Sequence, residues 1–362
     1  MVLYRKYRPK TFAEVIGQEH IITILTNEVA QDKLAHAYLF TGPRGLGKTT
    51  VSRLIAKAVN CEARRPGQAE PCNQCGSCRG INQARNLDLI EMDAASQTGV
   101  DNVRENIIGY SRIPPVRSKY KIFVVDEVHM LSISAFNALL KILEEPPAYI
   151  IFILATTEIH KVPETIISRC QRFDFIKVQQ DIIVERLKWI IKAEKVQVDE
   201  KILRTVAGRS DGCVRDAESL LGQILALDGK RITVDEASLV LPPSQTSLVI
   251  EFVSLLFKKD EKGAIEMINR LLGEGIDLDQ FRADTIEFLR KMLLLKVGAQ
   301  VDRFYYETSD ISQDKIENLA KLVDIKGLIL TIEELIKTKT RELYSEIPQL
   351  PIELAILKIC QK

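Results

Sequence analysis

Two short runs in this chain have the residue types and spacing to handle a triphosphate. Gly42-Pro43-Arg44-Gly45-Leu46-Gly47-Lys48-Thr49 fits G-x-x-x-x-G-K-[ST], the spacing of a phosphate-binding loop. Glycines there let backbone N–H groups curl around a polyphosphate, and a helix following the loop turns its positive end to the same anion. Lys48 would reach the β- and γ-phosphates as a point charge, and Thr49 would offer its hydroxyl to Mg²⁺. The loop so read runs from Gly42 to Thr50. The second run, IFVVDEVH, is a Walker B pattern. Asp126 at a strand end would help hold Mg²⁺ through the shell of the loop threonine, and Glu127 could orient or deprotonate a water attacking the γ-phosphate. His129 completes a D-E-x-H string, but a lone histidine after a strand is more commonly a packing residue.

Four of the seven cysteines cluster as Cys61, Cys72, Cys75 and Cys78. Two C-x-x-C steps share Cys75, and with one cysteine upstream they can give four thiolates to one tetrahedral ion. Zn²⁺ is the first choice and an iron–sulfur cluster the main rival, although no Cys-Pro follows the run as it does in ferredoxins. Four thiolates close the shell, so the expected role is structural, pinning an insert that lacks its own apolar core. Removing the metal should loosen this knuckle without abolishing nucleotide binding.

These groups need a sheet to position them. Apolar runs at Ala37–Thr41, Asp88–Met92, Lys121–Asp126, Ile150–Thr156 and Arg172–Ile176 alternate with helical segments, which implies an α/β fold with a parallel sheet covered on both faces. Ligands on such sheets sit at the carboxyl ends of the strands. Ahead of the sheet, LYRKYRPKTFAEVIGQ interleaves Tyr4, Tyr7 and Phe12 with basic residues, suggesting an arm that packs on something, with a bound adenine as one candidate. Residues 179–242 read as a small helical domain, in which Arg215 lies in a first helical turn. A cation is unfavourable there unless it has a partner, and a phosphate would serve. After a break at Leu241-Pro242-Pro243-Ser244, residues 243–362 read as an all-α oligomerisation domain. The expected division is therefore 1–178 with the cysteine module at 61–78, then 179–242, then 243–362.

Charged residues make up 27% of the 362 but cancel to +1, so any nucleic-acid role must come from a local or assembled surface. Arg104 and Arg112 are weak candidates for it. No apolar run reaches membrane-spanning length and no signal core opens the chain, so a cytoplasmic protein is expected.

From YRKYRP and VIGQEH through TGPRGLGKTT, the cysteine knuckle, DEVHML, NALLKILEEPP, ATTE and SRC to VRDAESL, the chain resembles AAA+ ATPases of the clamp-loader branch, within it the bacterial gamma/tau family. The resemblance is dense over roughly residues 1–240 and rests beyond that mainly on length and helical character. It implies a P-loop sheet with a helical lid and a helical collar. It places Arg8, Pro9, Val15, Ile16 and Gly17 beside adenine, makes Thr157 a sensor on the fourth strand and Arg215 a sensor from the second domain, and makes Arg169 of SRC an arginine finger acting on ATP held by the adjacent subunit. The implied function is ATP-driven opening of a sliding clamp and its loading on primer–template DNA, within a DNA polymerase III assembly whose polymerising site lies in another chain. ATP, Mg²⁺ and Zn²⁺ are the implied cofactors. The implied partners are delta, delta-prime and further gamma/tau copies, the clamp and the DNA, with polymerase core and helicase if a longer tail exists. A free-standing AAA+ DNA motor, favoured by the D-E-x-H string, and an ATP-binding scaffold are the alternatives.

Overall fold

A computed structural model describes residues 2–96, 99, 104–227, 231–233, 236, 237, 240, 245–298, 319–342 and 347–361. The chain forms two compact units, one of Met1–Gln197 with Ser210–Lys230, the other of Val198–Arg209 with Arg231–Lys362. The expected boundary at 242/243 lies outside the described residues, and so does the side chain of Arg104.

In the first unit, five parallel strands lie in the order β2-β3-β4-β1-β5, with β1 at Ala37–Thr41, β2 at Leu89–Asp93, β3 at Lys121–Asp126, β4 at Ile150–Thr156 and β5 at Gln171–Asp174. Every residue of β1 and β4 is buried, as the unbroken apolar runs require: with no polar face to give to water, both sides must be covered. Alternation divides the side chains between two cores. Tyr38 and Phe40 pack with Val51 and Leu54 of the helix Lys48–Val59, whereas Leu39, Phe123 and Phe152 pack with Phe136 and Leu139 of the helix Ile133–Glu144. The unit's helices are α1 (Leu3–Lys6), α2 (Glu19–Gln31), α3 (Lys48–Val59), α4 (Gly76–Asn82), α5 (Ile133–Glu144), α6 (Glu164–Ile167), α7 (Gln180–Glu194) and α8 (Val214–Leu225).

Three strands fall where the sequence placed them; two are displaced by polar competition. Asp88, expected to start β2, is buried and its carboxylate instead accepts the N–H groups of Val116, Arg117 and Ser118. At the end of β5, the backbone of Ile176 leaves the ladder to exchange hydrogen bonds with the fully buried amide of Gln18, at 2.7 and 3.2 Å.

The second unit is helical, apart from short segments. Helices Gln245–Phe257, Glu261–Gly273, Leu278–Lys296, Ile325–Glu342 and Leu350–Cys360 share a core that includes Phe252, Phe281, Leu289, Leu335 and Ile356. The Phe252 and Phe281 rings meet edge to face at 5.5 Å. Among the described residues no helix is long and apolar enough to cross a membrane.

Candidate nucleotide-binding site

The phosphate loop connects β1 to α3 at the carboxyl edge of the sheet, so the N–H groups of the first α3 turn have no carbonyl of their own helix to bond. Gly45 has φ +77°, and a Cβ there would lie 2.1 Å from the Cys213 sulfur, so only glycine lets this turn pass beneath α8. Lys48 is buried, with its ammonium donating to the carbonyl oxygens of Gly42 at 2.6 Å and Pro43 at 2.9 Å. Burial pushes its pKa down, against the pull of the Glu127 and Asp126 carboxylates. The Thr49 hydroxyl donates to Asp126 Oδ2 at 2.7 Å, which joins the loop to the end of β3. A hydroxyl and a carboxylate so joined, with the lysine beside them, form an arrangement suited to Mg²⁺ carried by a polyphosphate.

Glu127 follows Asp126 in a left-handed backbone conformation with φ +48°. For a non-glycine residue this costs on the order of 1–3 kcal/mol and is found where a side chain has to be aimed. The carboxylate receives the Thr157 hydroxyl at 3.0 Å. His129, which completes the D-E-x-H string, has its side chain only 6% exposed and is polar in its contacts: Nδ1 lies 3.1 Å from Thr156 Oγ1 and 3.4 Å from Glu127 Oε2, and Nε2 lies 3.3 Å from Glu158 Oε1.

A cavity opens from this edge. Its walls include Arg8, Pro9, Val15, Ile16, Arg44, Gly45, Leu46, Gly47, Lys48, Thr49, Thr50, Asp126, Glu127 and Arg215, all singled out from the sequence. Of the other sequence candidates, Gly42 and Pro43 serve it through the carbonyls that hold Lys48, and Thr157 through Glu127. Gly17 is not on the wall; its own N–H is bonded to Glu19, and a Cβ would come within 2.7 Å of Val178. Arg169 is also off the wall, at the turn between α6 and β5, where it donates to Glu144 Oε1 at 2.5 Å and to the Thr165 carbonyl at 2.6 Å.

Five wall residues, Tyr4, Glu14, Arg186, Val214 and Glu218, add to the motifs. Tyr4 alone among the arm aromatics faces the cavity, where the Arg215 guanidinium lies 4.7 Å from its ring centroid. A hydrogen bond from Arg215, against the opposing effect of burial, lowers the Tyr4 pKa. Phe12 is instead core, and Tyr7 packs edge-on against Trp189 while donating to Glu194. Arg186 on α7 and Glu218 on α8 form a 3.0 Å ion pair with both side chains under 10% exposed. Arg186 also donates to the Tyr7 carbonyl and lies over the Trp189 ring. No motif in the sequence marks this pair; two polar residues on the apolar faces of neighbouring helices were the available signal.

The cysteine module packs against the other end of α3. The sulfurs of Cys61, Cys72, Cys75 and Cys78 all lie within 4.8 Å of one another. Tetrahedral Zn–S bonds of about 2.3 Å need sulfurs only slightly closer, so the set fits such an ion. Backbone N–H groups already point at the sulfurs: those of Gln74 and Cys75 reach Cys72 at 3.4 and 3.3 Å, and those of Cys72 and Cys78 reach Cys61 and Cys75. The N–H groups of Gln74 and Cys75, Gln74 first, hold the Cys72 thiol down to about 6, toward the thiolate a metal requires, whereas burial pushes the Cys61 and Cys78 thiols up.

A P-loop between the first strand of a parallel sheet and the helix that follows it, with an Asp-Glu strand end facing it and a helical lid, defines an AAA+ ATPase fold. Residues 17–179 match the family described as DNA polymerase III, delta subunit; 182–230 match the DNA polymerase III clamp loader subunit, ATPase lid domain; and 234–362 match DNA polymerase III subunits gamma and tau domain III. The chain is 42% identical to the DNA polymerase III subunit tau of Bacillus subtilis over 359 residues, 99% of this chain and 63% of that protein. It is 33% identical to the DNA polymerase III subunit gamma of Buchnera aphidicola subsp. Schizaphis graminum, covering 99% of this chain and 97% of that one. Among solved structures, the Bacillus subtilis DNA clamp loader delta protein superposes with a TM-score of 0.46 at 14% identity, over 93% of this chain and 98% of that chain. The chain belongs to the gamma and tau family of DNA polymerase III subunits, and it spans less than two thirds of the tau relatives it matches.

Proposed function

We propose that this chain is an ATP-hydrolysing clamp-loader subunit, which uses ATP to open a sliding clamp and load it on primer–template DNA. The observation that carries the reading is the Thr49–Asp126 hydrogen bond beside buried Lys48, with Glu127 one residue on. In this reading Lys48 and the loop N–H groups from Gly42 to Thr50 grip the phosphates, and Thr49 and Asp126 hold Mg²⁺, which neutralises charge on the triphosphate. Arg8, Pro9, Val15 and Ile16 flank the adenine. Glu127, aimed by Thr157, positions the attacking water, and the four cysteines hold Zn²⁺ as a structural ion.

Arg215 contacts the γ-phosphate from its own lid, and Arg169 acts on ATP bound by the adjacent subunit. The half-buried Arg169 lies off the wall of its own cavity, which supports action in trans. A γ-phosphate held from two subunits favours a closed spiral around DNA, and its loss on hydrolysis loosens that spiral. The division at 178/179 and 242/243 into nucleotide-binding, lid and collar domains is part of the proposal. So are the partners: delta, delta-prime, further gamma/tau copies, the clamp, primed DNA and, through any longer tail, polymerase core and helicase. The cytoplasm is the compartment, and polymerisation belongs to another chain.

The test is ATP turnover in the assembled loader, with and without clamp and primed DNA. Arg169→Ala should leave ATP binding unchanged and suppress the DNA-stimulated rate. Equal loss of binding and turnover would place Arg169 in its own subunit's site instead.

A further inference from the structure

The cavity has two ends with different supports. Its phosphate end rests on β1, α3 and β3. Its opposite end is walled by Arg8 and Pro9 on one side of a short arm segment and by Val15 and Ile16 on the other. Between them, residues 10–13 are bonded to the cysteine module. Glu70 takes the backbone N–H groups of both Phe12 and Ala13, each at 2.9 Å. Asn73 donates to the Lys10 carbonyl at 3.0 Å, and Lys57 of α3 donates to that same carbonyl and to the Asn73 side chain, each at 2.8 Å. Glu70 lies two residues before Cys72 and Asn73 one residue after it. Whatever fixes the cysteines thereby fixes these two side chains.

Resting on the nucleotide reading above, we propose that Glu70 and Asn73 are positioning residues for the base and ribose end of that nucleotide. They set the backbone register of the arm, so metal held by the cysteines strengthens base recognition while leaving phosphate binding alone. Phe12, fully buried, keeps the arm attached by its side chain when the clamp is lost. The effect is therefore a graded loss of affinity. A carboxylate accepting two N–H groups is a charge-assisted pair, and its removal exposes both donors to competition from water.

Equilibrium binding to the full chain, with Mg²⁺ present, compares ATP with inorganic tripolyphosphate, which lacks base and ribose. Glu70→Ala should weaken ATP about five- to tenfold and leave tripolyphosphate unchanged. Glu70→Gln, which keeps one acceptor, should recover most of the loss. Asn73 has φ +58°, so Asn73→Gly removes the side chain without backbone strain and should weaken ATP about threefold; it carries the test should Glu70→Ala not fold. Wild-type chain stripped of its thiolate-bound metal by a chelator, then returned to Mg²⁺, should behave as Glu70→Ala does and recover on adding Zn²⁺. ATP affinity unchanged in both variants, or a parallel loss for ATP and tripolyphosphate, overturns the proposal. Lys48→Ala is the separate check: it should weaken both ligands, and if it weakens neither, the nucleotide reading itself fails.

Discussion

The phosphate end and the base end of one cavity are built in opposite ways. The first comes from two contiguous runs, 42–50 and 126–127, whose side chains and backbone meet because the carboxyl ends of β1 and β3, on either side of β4 in one sheet, bring them together. The second is collected from an arm near residues 4–16, from Arg186 on α7 and from Val214 and Glu218 on α8, held by long-range bonds such as Arg186–Tyr7 and Glu70–Phe12. Chemistry common to any triphosphate can be written into a local motif. Holding the rest of the ligand needs a wall that folding has to assemble, and that wall can be loosened without touching the phosphates.

The sharpest way to test that division is to remove chemistry without removing grip. Glu127→Gln keeps the shape of the side chain that meets Thr157 but takes away the carboxylate, so hydrolysis should fall by about 10²- to 10⁴-fold. ATP affinity should stay within about twofold, as read by titration against turnover on the same preparation. A matching loss of affinity would mean that Glu127 belongs to the binding wall.

On the assembled side, the expected cost is paid in folding. Glu218→Ala leaves the Arg186 guanidinium buried without its carboxylate, and removing one partner of a buried pair costs about 3–5 kcal/mol. Denaturant unfolding should show the loss. A change under about 1 kcal/mol would mean that water reaches Arg186 and that the α7–α8 wall is softer than its burial indicates.

A smaller effect is expected where the two ends meet. Gly45→Ala forces a side chain into a left-handed turn and against the Cys213 sulfur, a strain on the order of 1–3 kcal/mol. If the loop yields by shifting, ATP and tripolyphosphate should weaken equally, about tenfold; if α8 yields, ATP should weaken more than tripolyphosphate, because α8 brings Val214 and Glu218 as well as Arg215 to the cavity. Titration of the two ligands separates a rigid phosphate end from a mobile lid helix.

Legibility followed the same line. The parallel sheet, the loop and the Asp-Glu strand end could be read because unbroken apolar runs and glycine spacing are local signals. The strand ends at Asp88 and Ile176 could not, because their backbone partners, 116–118 and Gln18, lie far away in sequence. The spacing of the four cysteines announced that their sulfurs would cluster, yet nothing near Glu70 or Asn73 announced that the module grips the arm. Of the three arm aromatics only Tyr4 faces the cavity, and residue type alone could not tell it from Phe12, which the core claimed.

The mildest probe leaves all side-chain volumes almost unchanged. Burial raises the Glu218 pKa above its ordinary value of 4.5, and Arg186 offsets that only in part. The sign follows from proton counting: where pH lies between the unfolded and the folded pKa, the folded chain holds a proton that the unfolded chain has released. Glu218 then makes stability fall as pH rises through that window, by at most about 1.4 kcal/mol per pH unit. Glu218→Gln cannot titrate, so subtracting its stability at each pH cancels the other groups of the chain. The difference, wild type minus variant, should decline from about pH 4.5 upward and level off above the folded pKa. A rise with pH would mean that the ion pair with Arg186 outweighs desolvation, and that the base-end wall is held by charge rather than tolerated despite it.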